Sequence, residues 1–239
     1  MTRLSVNINK IALIRNARGG NLPDILQISK DIESFGAEGI TVHPRPDERH
    51  IRYSDIPKLK KIVKTEFNIE GNPNEKFMKL VLDNKPHQCT LVPDAPDVLT
   101  SDSGWDTIKH KNYLIGIIEQ LHDAGIRVSI FLNPDEKMVY AAKETGTDRI
   151  EFYTGPFAEQ YSLDPQKAIA PYIKAAKIAK EISIGINAGH DLNLDNLRFF
   201  NKSIPFIDEV SIGHALVSDA LYYGLHNTVQ MYKNLLISD

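Results

Sequence analysis

Eight short stretches of nearly continuous apolar, β-branched residues recur along the chain, at 4–9, 39–43, 67–70, 88–92, 127–132, 149–154, 182–188 and 209–215. They do not alternate strictly between apolar and polar positions. Such runs suit strands buried on both faces of a sheet. Between them the apolar residues return at spacings of three and four, the helical period. Over 23–35 they are Ile25, Leu26, Ile28, Ile32 and Phe35, and over 53–65 they are Ile56, Leu59, Ile62 and Val63. The pattern predicts further helices over 74–82, 105–124, 135–145, 165–181, 194–201 and 220–236. Asn72-Pro73-Asn74-Glu75 and Asn133-Pro134-Asp135-Glu136 put proline and acids where a first helical turn favours them. Gly36, Gly125 and Gly146 follow helical segments, as helix ends require.

Eight strand–helix alternations predict a parallel sheet with crossover helices, closing as a single (β/α)₈ or TIM barrel of the α/β class. An open, doubly wound sheet is the alternative, weakened because no Gly-x-Gly-x-x-Gly follows the first strand. No linker or low-complexity segment breaks the chain, so residues 1–239 read as one domain. The longest irregular stretch, 93–104, is a candidate lid.

Composition narrows the function classes. The 239 residues are 42% hydrophobic and 25% charged, as in ordinary globular proteins. With 28 basic and 31 acidic residues the net charge is −3, which argues against a nucleic-acid partner. A single cysteine, Cys89, excludes an intramolecular disulfide and a cysteine-rich metal site. No secretory leader and no apolar run of transmembrane length are evident. The expectation is a reduced, soluble, cytoplasmic protein with no membrane partner.

Reactive residues gather where the strands end, and barrels carry their chemistry there. The first strand is followed by Asn7, Asn9, Lys10, Arg15 and Arg18, and the second by His43, Arg45, Arg49 and His50. Glu70 ends the third, Thr100 follows the fourth, and Glu151 lies in the sixth. Asn187-Ala188-Gly189-His190 ends the seventh, and Gly213-His214 the eighth. One histidine at a strand end is usually a hydrogen-bonded surface group; three at the functional ends make coincidence the weaker account. Glu70 has two readings, a structural anion paired with an arginine or a carboxyl of raised pKa that moves protons near neutrality. Glu151 is the weaker candidate, since a glutamate inside a strand can serve merely to pair with a neighbouring cation. Arginine forks match phosphate oxygens, and small residues after strands seven and eight leave backbone N–H groups for phosphate. Two such corners would suit two phosphorylated substrates. A metal held by His43, His50, His190, His214 and Glu70 ranks lower, because no HExxH spacing occurs and the arginines would repel a cation. His87, His110 and His122 read as structural or surface residues.

The stretches Val6-Asn7-Ile8, Arg15-Asn16-Ala17-Arg18-Gly19, Gly39-Ile40-Thr41-Val42-His43, Arg49-His50-Ile51 and Asn68-Ile69-Glu70 carry a resemblance. So do Leu91-Val92-Pro93, Ile150-Glu151, Thr154-Gly155, Asn187-Ala188-Gly189-His190 and Ile212-Gly213-His214-Ala215. Together, in this order, they resemble the pyridoxine 5′-phosphate synthase family of the deoxyxylulose-dependent vitamin B6 pathway. The absence of metal-ligand spacing predicts no required metal, and the resemblance implies a cofactor-free barrel enzyme, assembled as a homo-octamer. It would join 3-amino-2-oxopropyl phosphate to 1-deoxy-D-xylulose 5-phosphate, releasing pyridoxine 5′-phosphate, inorganic phosphate and water. It implies His43 and Glu70 as proton acceptors, His190 as proton donor, and Glu151 as stabiliser of a cationic intermediate. Asn7, Arg18, Gly213 and His214 would hold the amino-ketone phosphate; Arg45, His50 and Thr100 would hold the deoxyxylulose phosphate. Two departures stand out. The family often has Asp-His where this chain has Asn9-Lys10, beside deoxyxylulose phosphate, and glycine where it has Asp191. A carboxylate facing a phosphate would repel it, so Asp191 must turn away or weaken that contact. Another phosphosugar aldolase or isomerase on the same fold, and a non-catalytic phosphate-ligand sensor, are the alternatives.

Overall fold

The eight apolar runs are eight parallel strands, closed into a barrel in chain order. They are β1 (Arg3–Asn7), β2 (Gly39–Val42), β3 (Glu66–Gly71), β4 (Gln88–Leu91), β5 (Arg127–Leu132), β6 (Arg149–Tyr153), β7 (Gly185–Gly189) and β8 (Glu209–Ile212). Closure is made by β1 and β8, which pair from Arg3–Glu209 to Val6–Ile212. This computed structural model describes residues 1–94, 101 and 103–237. Thr100 and most of the candidate lid lie outside the described residues. Among the described residues no helix is long and apolar enough to cross a membrane.

Alternation along each strand separates two environments. Leu4, Val6, Ile40, Val42, Phe67, Ile69 and Val128 are fully buried in the apolar core. That core lies between the strands and the helices around them. The other set is polar and crosses the barrel's interior. Ser5 bonds Thr41 at 2.7 Å, Thr90 donates to Asn68 at 3.2 Å, and Asn187 on β7 donates to Gln88 on β4 at 3.4 Å. At the N-terminal end Arg3 and Arg127 both pair with Glu66, and Arg149 donates to Asn187 at 3.0 Å. That network closes the end of the barrel opposite the reactive strand ends.

The helices are α1 (Asn9–Asn16), α2 (Ile25–Ser34), α3 (Ile56–Ile62, entered by a 3₁₀ turn), α4 (Glu75–Asn84), α5 (Lys111–Asp123) and α6 (Glu136–Glu144). They continue with α7 (Gly155–Tyr161), α8 (Pro165–Glu181), α9 (Leu197–Ser203), α10 (His214–Tyr223) and α11 (Leu225–Leu236). Asp24, Asn74, Asp135 and Asp164 cap α2, α4, α6 and α8 by accepting backbone N–H groups of the first turn. The expected elements change in five places. The chain after β1 is helical at once, so Asn9, Lys10 and Arg15 sit on α1 and not in a loop; Ile11, Ala12 and Arg15 are its buried side. The expected helix over 105–124 starts only at Lys111, and α7 was not foreseen. The expected helix over 220–236 is two helices, broken at Gly224, whose φ of 76° favours glycine. The expected strand over 182–188 begins at Gly185, because Ser183 adopts a positive φ of 58°.

Candidate active site

The C-terminal ends of the strands place a set of titratable groups around the barrel mouth. Asn7 ends β1 and donates from Nδ2 to Glu70 Oε2 at 3.3 Å. Its Oδ1 accepts the Asn9 backbone N–H at 3.0 Å, and Asn9 Oδ1 accepts the His43 N–H, also at 3.0 Å. A short chain of amides thus ties the ends of β1, β2 and β3 together. His43 and Arg45 leave β2 and are both buried. A cavity beside them is lined also by Tyr53, Asn72, Asn74 and Asp94. His50 returns to His43 with the rings edge-to-face, 6.4 Å between centroids. The Ile51 N–H donates to His50 Nδ1 at 2.9 Å, so neutral His50 carries its proton on Nε2.

Electrostatics sort these groups into unusual protonation states. Burial pushes His43 well below the ordinary imidazole range, and Arg45, His50 and Arg49 push the same way. Burial, Arg45, Arg49 and Lys10 push His50 down to about 4. Both rings are therefore neutral bases at neutral pH. Glu70 keeps part of its surface at the mouth but stands deep among protein groups. Burial, then the Glu151 and Asp94 carboxylates, push it well above the usual range, against the pull of Arg45. Burial pushes Glu151 up to about 7, although a hydrogen bond from Thr90 and the nearby His190 oppose it. Glu151 at the mouth can thus hold or release a proton near neutrality, and Glu70 is shifted in the same direction. Gly189 makes room for one of them, since a Cβ there would collide with Glu151 Oε1.

On the far side, His190 follows β7 and packs edge-to-face on Tyr153, 5.1 Å between centroids. Its Nδ1 lies 2.6 Å from Asp191 Oδ2. The Asp191 side chain has turned to the histidine. That hydrogen bond comes first among the causes that hold Asp191 below the usual carboxylate range. Gly213 sits against Asn7, and α10 begins at His214 without a side-chain cap. Uncapped N–H groups at such a helix start attract an anion.

The expected site residues do not all converge. Asn7, Asn9, His43, Arg45, His50, Glu70, Glu151, His190, Asp191 and Gly213 stand around the mouth, joined by the contacts above. Lys10 and His214 are exposed, on the first turns of α1 and α10. Arg18 lies in the exposed turn after α1 and makes no hydrogen bond or ion pair among the described residues. Arg15, read as a phosphate ligand, is 1% exposed and pairs with Asp55 through its two terminal guanidinium nitrogens, at 3.0 and 2.9 Å. Asp94 went unforeseen. It pairs with Arg45 at 2.7 Å and accepts from Ser101 at 2.6 Å. It follows β4 as His43 follows β2, so the strand-end rule extends to it. Among the described residues no three His, Cys, Asp or Glu side chains are grouped as metal ligands would be.

Comparison with known proteins supplies an independent view. A family model described as pyridoxal phosphate biosynthesis protein PdxJ matches residues 4–238. The chain is 62% identical to a pyridoxine 5′-phosphate synthase of Cytophaga hutchinsonii over 97% of this chain and 98% of that one. It is 59% identical to one of Christiangramia forsetii, over 99% and 100%. Among solved structures, phosphoribosylanthranilate isomerase from Thermotoga maritima superposes with a TM-score of 0.61, over 99% of this chain and 98% of that one, at 13% identity. Thiamine phosphate pyrophosphorylase from Pyrococcus furiosus gives 0.62 over 98% and 95%, at 11% identity. Those two likenesses concern the barrel fold alone.

Proposed function

The chain belongs to the PdxJ family of pyridoxal phosphate biosynthesis proteins, and from that membership we infer that it is the enzyme that closes the pyridine ring of pyridoxine 5′-phosphate. It condenses 3-amino-2-oxopropyl phosphate with 1-deoxy-D-xylulose 5-phosphate and releases inorganic phosphate and water. The 239 residues act as one catalytic domain. The observation that carries this reading is the pairing of neutral imidazoles with carboxyls of raised proton affinity around one mouth. Imine formation, C–H and O–H proton transfers and loss of water each need a positioned acid or base.

His43 is a proton acceptor, because burial and the arginines leave its ring neutral. Glu70 is the second acceptor. Burial and the neighbouring carboxylates raise its affinity for a proton, and the ammonium group of the arriving amino-ketone favours its carboxylate form. Glu151, poised near 7, stabilises cationic intermediates as a carboxylate. His190 donates a proton to the departing oxygen. Asn7, Arg18, Gly213 and His214 hold the amino-ketone phosphate, a role supported by the uncapped start of α10 beside Asn7. Arg45, His50 and Thr100, with Asn9 and Lys10, hold the deoxyxylulose phosphate. Lys10 already lowers the His50 pKa through space, which supports a shared cationic corner. The reaction asks for no metal and no redox cofactor. We read the assembly as a cytoplasmic homo-octamer. Exposed Leu13 and Ile14 on α1 and Leu221 and Tyr222 on α10 support burial against other copies.

The test is turnover. Purified protein with both substrates should form pyridoxine 5′-phosphate and one phosphate per turnover, and should do so undiminished in EDTA. Absence of product with both substrates would overturn the reading. Loss in EDTA restored by one divalent ion would overturn its metal-free part.

A further inference from the structure

Asp191 stands at the mouth next to the proposed proton donor, and its half-exposed carboxylate is turned to that donor's ring. Its Oδ2 lies 2.6 Å from His190 Nδ1, a short charge-assisted contact. Residues 190 and 191 both adopt positive φ, 82° and 57°, a conformation uncommon outside glycine. The surrounding loop maintains it. Thr154 Oγ1 donates to the carbonyls of Gly189, at 2.8 Å, and of His190, and Asn196 Nδ2 donates to the Asp191 carbonyl at 3.2 Å. Behind the imidazole, Tyr153 packs edge-on.

We propose that Asp191 is a positioning residue for His190, fixing the ring so that Nδ1 keeps its proton and Nε2 is the nitrogen that exchanges one with substrate. This rests on the proton-donor role given to His190 above. In the donating step the Nε2–H bond breaks and its proton passes to the departing oxygen of the substrate. The ring is left neutral, with the Nδ1 proton shared with Asp191. A carboxylate on Nδ1 stabilises the imidazolium that must exist before the step, as in histidine–carboxylate pairs generally. The other titratable groups facing this pair are Glu151 and Tyr153 from β6 and His214 from α10. Glu151 favours the imidazolium; His214, when protonated, opposes it. Asp191 is 48% exposed in its side chain, so solvent moderates the effect.

Asp191→Gly tests this, since glycine removes the acceptor altogether and tolerates positive φ. Two readouts on the intact enzyme separate the outcomes. Nitrogen NMR of the ring should find the neutral His190 with its proton on Nδ1 in the parent chain and shifted toward Nε2 in the variant. Turnover should fall about ten- to a hundredfold in kcat, with KM for both substrates nearly constant. An unchanged tautomer, or a raised KM for one phosphate with kcat unchanged, would overturn the proposal and make Asp191 a binding residue. If the parent chain fails to turn over, the proposed reaction falls, while the NMR arm still decides whether Asp191 orients His190.

Discussion

At the scale of the residue, the mouth holds groups whose proton affinities are shifted from those in water. Burial beside Arg45 holds His43 neutral, and burial beside Glu151 and Asp94 raises Glu70 well above the ordinary carboxylate range. Glu70→Gln keeps the size of the side chain and the hydrogen bond from Asn7, provided the amide turns its oxygen to Asn7, and removes the exchangeable proton. Folding and phosphate binding should persist, while turnover falls by at least about a hundredfold. A melting curve, a binding titration and a rate on one preparation check it, and near-normal turnover would leave Glu70 a packing residue. The two arginines make a second contrast. Arg45→Met should weaken deoxyxylulose phosphate, and Arg18→Met the amino-ketone phosphate, each by about ten- to a hundredfold. Arg45→Met should also lower the melting temperature, because it strands the buried Asp94 with only Ser101 among its described partners. Equal weakening of the same substrate by both changes would refute the assignment. Glu70 and Arg45 were legible because an apolar run stops at or just before each of them. Asp94 was not, because it opens the irregular stretch after β4 and its partner lies 49 residues away.

At the scale of the element, α1 and the segment after β2 are one device. Arg15 pairs with Asp55 and donates to the His50 carbonyl at 3.0 Å. Asn16 Nδ2 donates to the Arg49 and His50 carbonyls at 3.0 and 2.8 Å. The segment carrying Arg45 and His50 is thereby held from behind by α1. Removing one partner of such a buried pair typically costs about 3–5 kcal/mol. Arg15→Met should therefore lower the melting temperature and raise KM for deoxyxylulose phosphate more than for the amino-ketone. An unchanged melting curve would show that the pair contributes little. Sequence pattern placed the strands and most helices because their apolar period is local. It missed α1 as a helix because only Ile11, Ala12 and Arg15 face inward, and the last of these is a cation whose partner is 40 residues distant. It joined α10 to α11 because the apolar period runs on through Gly224, and only the positive φ there breaks it.

At the scale of the whole molecule, the barrel trades apolar filling for a polar interior, and that choice has a pH signature. Glu209 on β8 is 1% exposed, and its Oε2 accepts no hydrogen bond among the described residues, with Arg3 Nη2 3.7 Å away. Burial and then Glu66 push it from 4.5 up to about 8, although Arg3 and Arg149 pull it back. A carboxyl raised on folding binds a proton in the folded state that the unfolded chain has already lost. Its contribution to stability is therefore intact below about 4.5, declines as pH rises, and is lost above about 8. Glu66 has the opposite sign: its pairs with Arg127 and Arg3 hold it low, and it strengthens the fold above the ordinary carboxylate range. Glu209→Gln removes the first effect and leaves the second. Near pH 5 the variant and the parent should melt alike. By pH 9 the variant should be the more stable, by an amount on the order of a few kcal/mol. Chemical denaturation of both chains across that range isolates the difference, because Glu70 and Glu151 are common to the two. An advantage that does not grow with pH would mean that Glu209 is ionised throughout and that Arg3 and Arg149 compensate its burial.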